Sequence, residues 1–493
     1  MTHDGQHQEN AILEDFVDKE STLAEEVPVV FAPDIQDVTL HWDQHPQDPL
    51  NLPARKKIIL MVMVSLAAFI TSAATSIVTP AQSAIQKAFN VSFTQSLLPL
   101  SLYTFALGSG PVIGGPVSET VGRMPVYYVA FPLGALFTLG AGLTSNFAAL
   151  CFLRTAAGFC WAPMLTVAAG SIAETFSAKA RGGMMALYIL MPFLGPGFGP
   201  IFGAYAVSRH DWRWTQWVIL FMTIPCLILI AFSPETFPPV LKRRIASRES
   251  DYDIPKSTLL ANAHQFVTVT LSRPVHMLFT EPIVSFICLY TAINFGVLFC
   301  YFAAVPYMVG KVYSFSTEQA GLVFFSIVIG STLGFITLVL CDIFFYRPKL
   351  GNLPPGQGSP EHRLYPAMIG SIGLPLGLFW FAWTSKSSIS WASPVAAIVP
   401  YAWGNLCVFV STAQYALETY HGNVLASVAS AMSLARYVTA GAFPLFIMNM
   451  YQALHLDWAI SLFGFVAVAL VPIPFVLFKF GPRIRAKSKY ETL

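Results

Sequence analysis

The chain has 493 residues, 55% of them hydrophobic and only 11% charged. That balance excludes a soluble globule, because Lys, Glu, Arg and Asp normally coat a water-facing exterior, and it fits a protein with many membrane spans. The net charge of +2 hides an asymmetry: 12 of the 26 acids lie in the first 50 residues with Lys19 as the single base there, and the rest of the chain carries 27 bases and 14 acids.

Residues 1–55 read as an acidic, disordered cytoplasmic tail without the basic and apolar regions of a signal peptide. Apolar runs long enough to cross a hydrocarbon core follow at 58–80, 94–116, 124–144, 147–172, 183–206 and 213–232. A second set lies at 283–306, 318–341, 364–384, 391–414, 424–447 and 459–479. The expected fold class is therefore an all-α membrane protein with twelve transmembrane helices in two six-helix pseudo-symmetric halves, 56–232 and 283–480. A polar central loop, 233–282, joins them and a basic tail, 481–493, closes the chain. With both termini in the cytoplasm, 20 Lys and Arg fall inside and five fall outside (Lys87, Arg209, Arg213, Lys311 and Lys386), which sets the orientation. Two echoes offset by six spans suggest an internal repeat. Pro200-Ile201-Phe202 with Asp211-Trp212 resembles Pro444-Leu445-Phe446 with Asp457-Trp458, and Glu119 with Arg123 resembles Asp342 with Arg347. The seven cysteines all sit in or at the edge of apolar runs without metal-ligand spacing, which predicts small buried hydrophobes.

Three features carry chemistry. Glu119 and Arg123 lie on the short turn after the second span, where they can pair with each other or with charges and helix ends brought alongside. Gly195, Gly199 and Gly203 recur every four residues, so they share one helix face, and Pro196 and Pro200 make that face bendable. Arg154, with Gly158 four residues on, lies about a third of the way into the fourth span, where an ionisable group is costly. It is either functional or bonded to carbonyls. Arg436 is similarly deep in the eleventh span, with backbone satisfaction the favoured reading.

These residues carry a resemblance. Gly115-Pro-Val-Ser-Glu119-Thr-Val-Gly122-Arg123 is similar to the G-x-L-a-D-R-x-G-R motif of the major facilitator superfamily, with Glu119 for the usual Asp and Thr120 for the usual first base. Gly195-xxx-Gly199-Pro200-xx-Gly203-Ala204 resembles that family's antiporter motif, with Ala204 for the last glycine. The local wording most resembles fungal twelve-span drug:proton antiporters, over about residues 42 to 490. The resemblance implies a major facilitator fold, a cytoplasmic latch at Glu119 and Arg123, and proton coupling linked to Arg154. Glu174 and Arg181 follow on as in the family, and Arg436 precedes a Gly441-to-Phe446 stretch shared with the fungal branch.

No Asp or Glu lies mid-span, so candidate proton carriers are boundary acids: Glu119, Glu174, Asp342 and Glu418. With Arg154 and Arg436 unpaired, a central cavity would be electropositive and would favour anionic substrates. Its expected lining is Tyr103, Tyr188, Asn294, Tyr301, Tyr401, Asn405 and Gln414, near the midplane between the halves. No phosphate loop or catalytic constellation stands out, so neither an enzyme nor a bound cofactor is expected and the proton gradient is the expected energy source. The expected partners are a small-molecule substrate and the lipid bilayer, without nucleic acid, for a monomer in the plasma membrane. The functional expectation is a secondary active exporter of small organic compounds by alternating access in exchange for protons. The alternatives are a facilitator or importer of a nutrient or polyamine, and a membrane sensor that keeps the fold without flux.

Overall fold

The computed structural model describes residues 42, 45–249, 272–350, 359–420, 424–488 and 490. The acidic tail up to residue 41, the middle of the central loop and the last three residues lie outside the described residues.

The described chain is a bundle of twelve membrane-length helical units. Ten helices are long and apolar enough to cross a membrane. The run Val424–Arg485 holds two of the twelve, because His455 takes φ 60° and breaks it. The second span completes the count in three pieces, Leu98–Leu107, Gly110–Gly114 and Gly115–Val121. The middle piece is a π-turn that contains Pro111. Such a turn widens the helix where proline cannot donate to the ladder. The other spans are Ala54–Ser76, Arg123–Leu143, Phe147–Trp161 continued by Met164–Thr175, Ala178–Arg209, Trp214–Phe232 and Pro282–Val312. Thr317–Val323 continued by Phe325–Cys341, then Tyr365–Thr384 and Ala392–Thr419, lead to the broken run. Each is close to an expected apolar run. The fifth and seventh extend beyond theirs, since a helix continues past the hydrocarbon region until its caps stop it.

Repetition is clearest at the start of the second span of each half. Ser92 and Gln95 form a reciprocal capping box there, and Ser316 and Gln319 form the same box at the start of the eighth span. Two residues before each serine the backbone turns left-handed, at Asn90 (φ 51°) and Ser314 (φ 54°).

Within the first half, span one packs on spans five and six, and span four packs on spans two and three. Within the second, spans seven, eight and nine pack on span ten, and spans seven and nine also pack on the broken run Val424–Arg485. The halves meet where span two crosses span eleven and where span five crosses span eight. A Cβ on Gly108 would lie 3.3 Å from Tyr437 Cβ, and one on Gly441 would meet the Phe105 ring at 2.9 Å. Small residues at these points let the backbones approach.

Candidate functional site

The glycine face of span five lies against span one. A Cβ on Gly195 would fall 2.7 Å from the Ala73 nitrogen, and one on Gly199 would fall 2.7 Å from the Ala73 carbonyl oxygen. Gly203 is pressed against the Ile77 carbonyl in the same way. Proline completes the arrangement. Pro200 has no N–H, so the Pro196 carbonyl loses its helical donor. Ser76 of span one supplies one instead, its Oγ donating to Pro196 O at 3.2 Å. The seam is thus a backbone-to-backbone contact inside the first half.

The termini end of the bundle, where the described chain begins and ends, holds a charge cluster in each half. Arg123 begins span three and is nearly buried. It donates from Nη2 to Glu174 Oε1 at 2.7 Å, from Nε to the same oxygen at 3.1 Å, and from Nη1 to Ser118 Oγ at 2.6 Å. Thr236 Oγ1 donates to the other Glu174 oxygen at 3.1 Å. Glu235, from the Pro-Glu-Thr-Phe turn after span six, accepts the backbone N–H groups of Arg123 and Met124 at 2.9 and 3.1 Å. A carboxylate there satisfies orphan donors and complements the helix dipole. Gly122 makes room for it: φ is +106°, and a Cβ there would lie 2.5 Å from Glu235 Oε2.

The carboxylate that clamps Arg123 is therefore Glu174. Glu119 lies 3.9 Å from Nη2 with its side chain 59% exposed. Its distance and exposure make that contact weak. Thr120, at the position of the missing base, bonds its own helix at Val117 O, 2.8 Å away. Arg181 lies on the first turns of span five, and no ion pair involving it is found among the described residues.

The second half repeats the clamp with Arg363, just before span nine. Arg363 donates to Glu418, at the end of span ten, with 2.7 Å contacts from Nε and Nη2, and to Asp342 at 3.3 Å. Arg347 holds the other Asp342 oxygen at 2.8 Å. The structural counterpart of Arg123 is thus Arg363. The echo of Glu119 and Arg123 in Asp342 and Arg347 is sequence-local only, because the arginine that spans the half enters from the next helix. Two further buried acids escaped the list of boundary candidates. Glu361 pairs with Arg485 at 3.1 Å, and Glu281 accepts from Tyr420 at 3.1 Å and from Ser488 at 2.8 Å. Burial, and then the Glu281 carboxylate beside it, push the Tyr420 phenol above its ordinary range. Neither acid belongs to a recognisable spacing, so only tertiary packing reveals them.

The two deep arginines differ. Arg154 is fully buried inside the first half. Its Nη2 donates to Ala74 O of span one and its Nε to Pro99 O of span two at 3.4 Å, and its guanidinium lies over the Tyr103 ring at 4.4 Å. Tyr103 in turn donates to Thr71 O at 2.9 Å. The carbonyl bonding expected as one reading is therefore present. Gly158 packs on span two, where a Cβ would meet Tyr103 O at 2.7 Å.

Arg436 finds aromatic faces where backbone satisfaction was favoured. Its guanidinium carbon lies 4.9 Å from the Phe295 ring, 4.3 Å from Phe409 and 4.8 Å from Tyr437. Phe193 of span five stands against Phe295 and Phe409 at 6.2 and 5.3 Å, so the cage lies between the halves. Tyr188 is buried beside it and donates to Leu165 O at 2.9 Å.

The other expected lining residues gather elsewhere. Tyr401 Oη and Asn405 Nδ2 both donate to the Asn294 carbonyl, at 2.5 and 3.0 Å, which ties span ten to span seven. Tyr301 lies tilted against Tyr401 at 5.1 Å and edge-on to Phe381 of span nine at 5.2 Å, inside the second half. Gln414 is half-buried nearer the termini end of span ten.

One ion pair crosses between the halves among the described residues, Arg209 with Glu318 at 3.9 Å, joined by Ser208 Oγ donating to Glu318 at 2.7 Å. Beside it a Cβ on Gly321 would lie 3.2 Å from Pro200 O. This contact is at the end away from the termini. At the termini end each charge cluster stays within its own half, and among the described residues nothing lies within 4 Å of a Cβ position at Gly182 or Gly183 of span five.

Comparison with known proteins adds the family. The family model of the Major Facilitator Superfamily matches residues 64–444. The chain is 33% identical to Polyamine transporter 4 of Saccharomyces cerevisiae, covering 92% of this chain and 73% of that one. It is 34% identical to the citrinin biosynthesis cluster MFS transporter mrr1 of Monascus ruber, covering 92% of both. It is 35% identical to Efflux pump FUBT of Fusarium oxysporum, covering 90% of this chain and 76% of that one. Among solved structures it resembles a D-xylose-proton symporter in fold, with a TM-score of 0.63 at 16% identity, covering 87% of this chain and 99% of that one. The twelve-helix bundle, the seam and the matching relatives place the chain in the Major Facilitator Superfamily, with the fungal efflux type of transporter.

Proposed function

We propose that this protein exports small organic compounds across the plasma membrane by alternating access, in exchange for protons, with both termini in the cytoplasm. The observation that carries the reading is the asymmetry of the contact between the halves. The crossing ion pair and the tight Gly321 contact lie at one end, and at the other end the charge clusters close only on themselves. Such an arrangement fits a transporter open toward the side that holds the termini, with the halves rocking about spans two, five, eight and eleven.

The Gly195–Gly199–Gly203 seam supports exchange over import through the antiporter pattern it completes, and relatives with names such as Efflux pump FUBT support export. Arg154 holds spans one, two and four together as a coupling and positioning group. Glu174, clamped by Arg123, is the proposed proton-responsive acid: neutralising it would release the arginine and loosen a termini-end cluster. Inside-out membrane vesicles loaded by an imposed pH gradient test the reading. Uptake of a dye panel should rise with the gradient and collapse with a protonophore, and gradient-independent flux would refute proton exchange.

A further inference from the structure

We propose that Arg436 is the substrate-recognising cation of the central site, and that it takes a planar aromatic carboxylate against its aromatic cage. This rests on the export reading and names its substrate class. Arg436 is half-buried at the junction of the halves, with three rings around its guanidinium and Phe193 of the opposite half closing over two of them. Its Nε is buried without a hydrogen-bond partner, and no carboxylate lies within ion-pair distance among the described residues. Arg154 also keeps one buried nitrogen, Nη1, without a partner, but it is fully buried within one half on two carbonyls and a tyrosine face, whereas Arg436 stands where the halves meet.

A partly buried guanidinium that Tyr437 engages but whose Nε has no partner calls for an anion, and carboxylate matches its planar fork. The cage explains why the site can exist empty, since ring faces partly compensate the charge. The same phenyl groups offer flat apolar surface to the body of a ligand whose head reaches the guanidinium. A polyamine needs the opposite: carboxylates at the centre, whereas the described acids all sit at span ends.

The test is binding of 2-naphthoate, 2-naphthylmethylammonium and spermidine to the full chain in lipid nanodiscs, by calorimetry. Naphthoate should bind at least tenfold more tightly than either cation. Arg436→Gln should weaken naphthoate at least tenfold without weakening the ammonium, and Arg436→Lys should fall between, because it keeps charge and loses the fork. Equal or tighter binding of a cation, no binding of naphthoate, or an unchanged affinity in Arg436→Gln would overturn the assignment. If Arg436→Gln does not give monodisperse protein, the wild-type ranking and Arg436→Lys decide. Gradient-driven export that prefers cations would sink this inference alone, and loss of gradient dependence with naphthoate binding intact would sink only the export reading.

Discussion

Arg123 illustrates how much a single residue's surroundings decide. Its motif partner in sequence is Glu119, yet its nearly buried guanidinium is gripped by Glu174, 51 residues away. Glu174→Gln leaves that charge without its main carboxylate. Breaking a buried pair costs about 3–5 kcal/mol, so the protein in detergent should melt at clearly lower temperature. Glu119→Gln should shift stability by less than about 1 kcal/mol, the usual worth of an exposed pair. Equal effects of the two would refute the assignment of Glu174 as the clamp. The surroundings of Arg154 and Arg436 have the same origin. Sequence placed both at membrane depth, but that Arg154 meets carbonyls and one ring while Arg436 meets three rings depends on helices far away in the chain.

At the scale of elements, the glycine face of span five and the two clamps can be tested directly. Gly199→Leu drives a side chain into the Ala73 carbonyl, so spans one and five must separate. Overpacking of this kind costs about 1–3 kcal/mol, and transport should be lost with it. Gly182→Ala, which meets nothing within 4 Å, should melt and transport as wild type. The symmetry of the clamps predicts that Arg363→Gln and Glu418→Gln are non-additive in a double-mutant cycle, with a coupling energy of roughly 0.5–3 kcal/mol; additive effects would refute the Arg363–Glu418 clamp. Span positions were legible because membrane length and apolarity dictate them. The break at His455 falls in the expected gap between the spans 424–447 and 459–479, but the one at Gly110–Gly114 was not legible, since a π-turn leaves little trace in hydropathy.

For the whole molecule, the contact at the end away from the termini makes alternation testable. Ser208 Oγ and Glu318 Oε1 lie 2.7 Å apart across the halves, so cysteines at both positions should cross-link. Oxidation should then stop transport and reductant should restore it; undiminished flux in the cross-linked protein would refute rocking about this contact. The sequence by itself determined twelve apolar helices, the repeat of six, the small-residue face of span five and the confinement of acids to span ends. The helices and the placement of acids follow from the cost of exposing polar groups to hydrocarbon, which acts locally along the chain. Tertiary structure alone decided which acid holds Arg123, that Arg363 is its counterpart, that Arg154 is spent on carbonyls, and that Arg436 stands among rings between the halves. Each of these depends on partners from different helices, and apolar helices alike in composition do not encode in their local pattern which neighbour each face will meet.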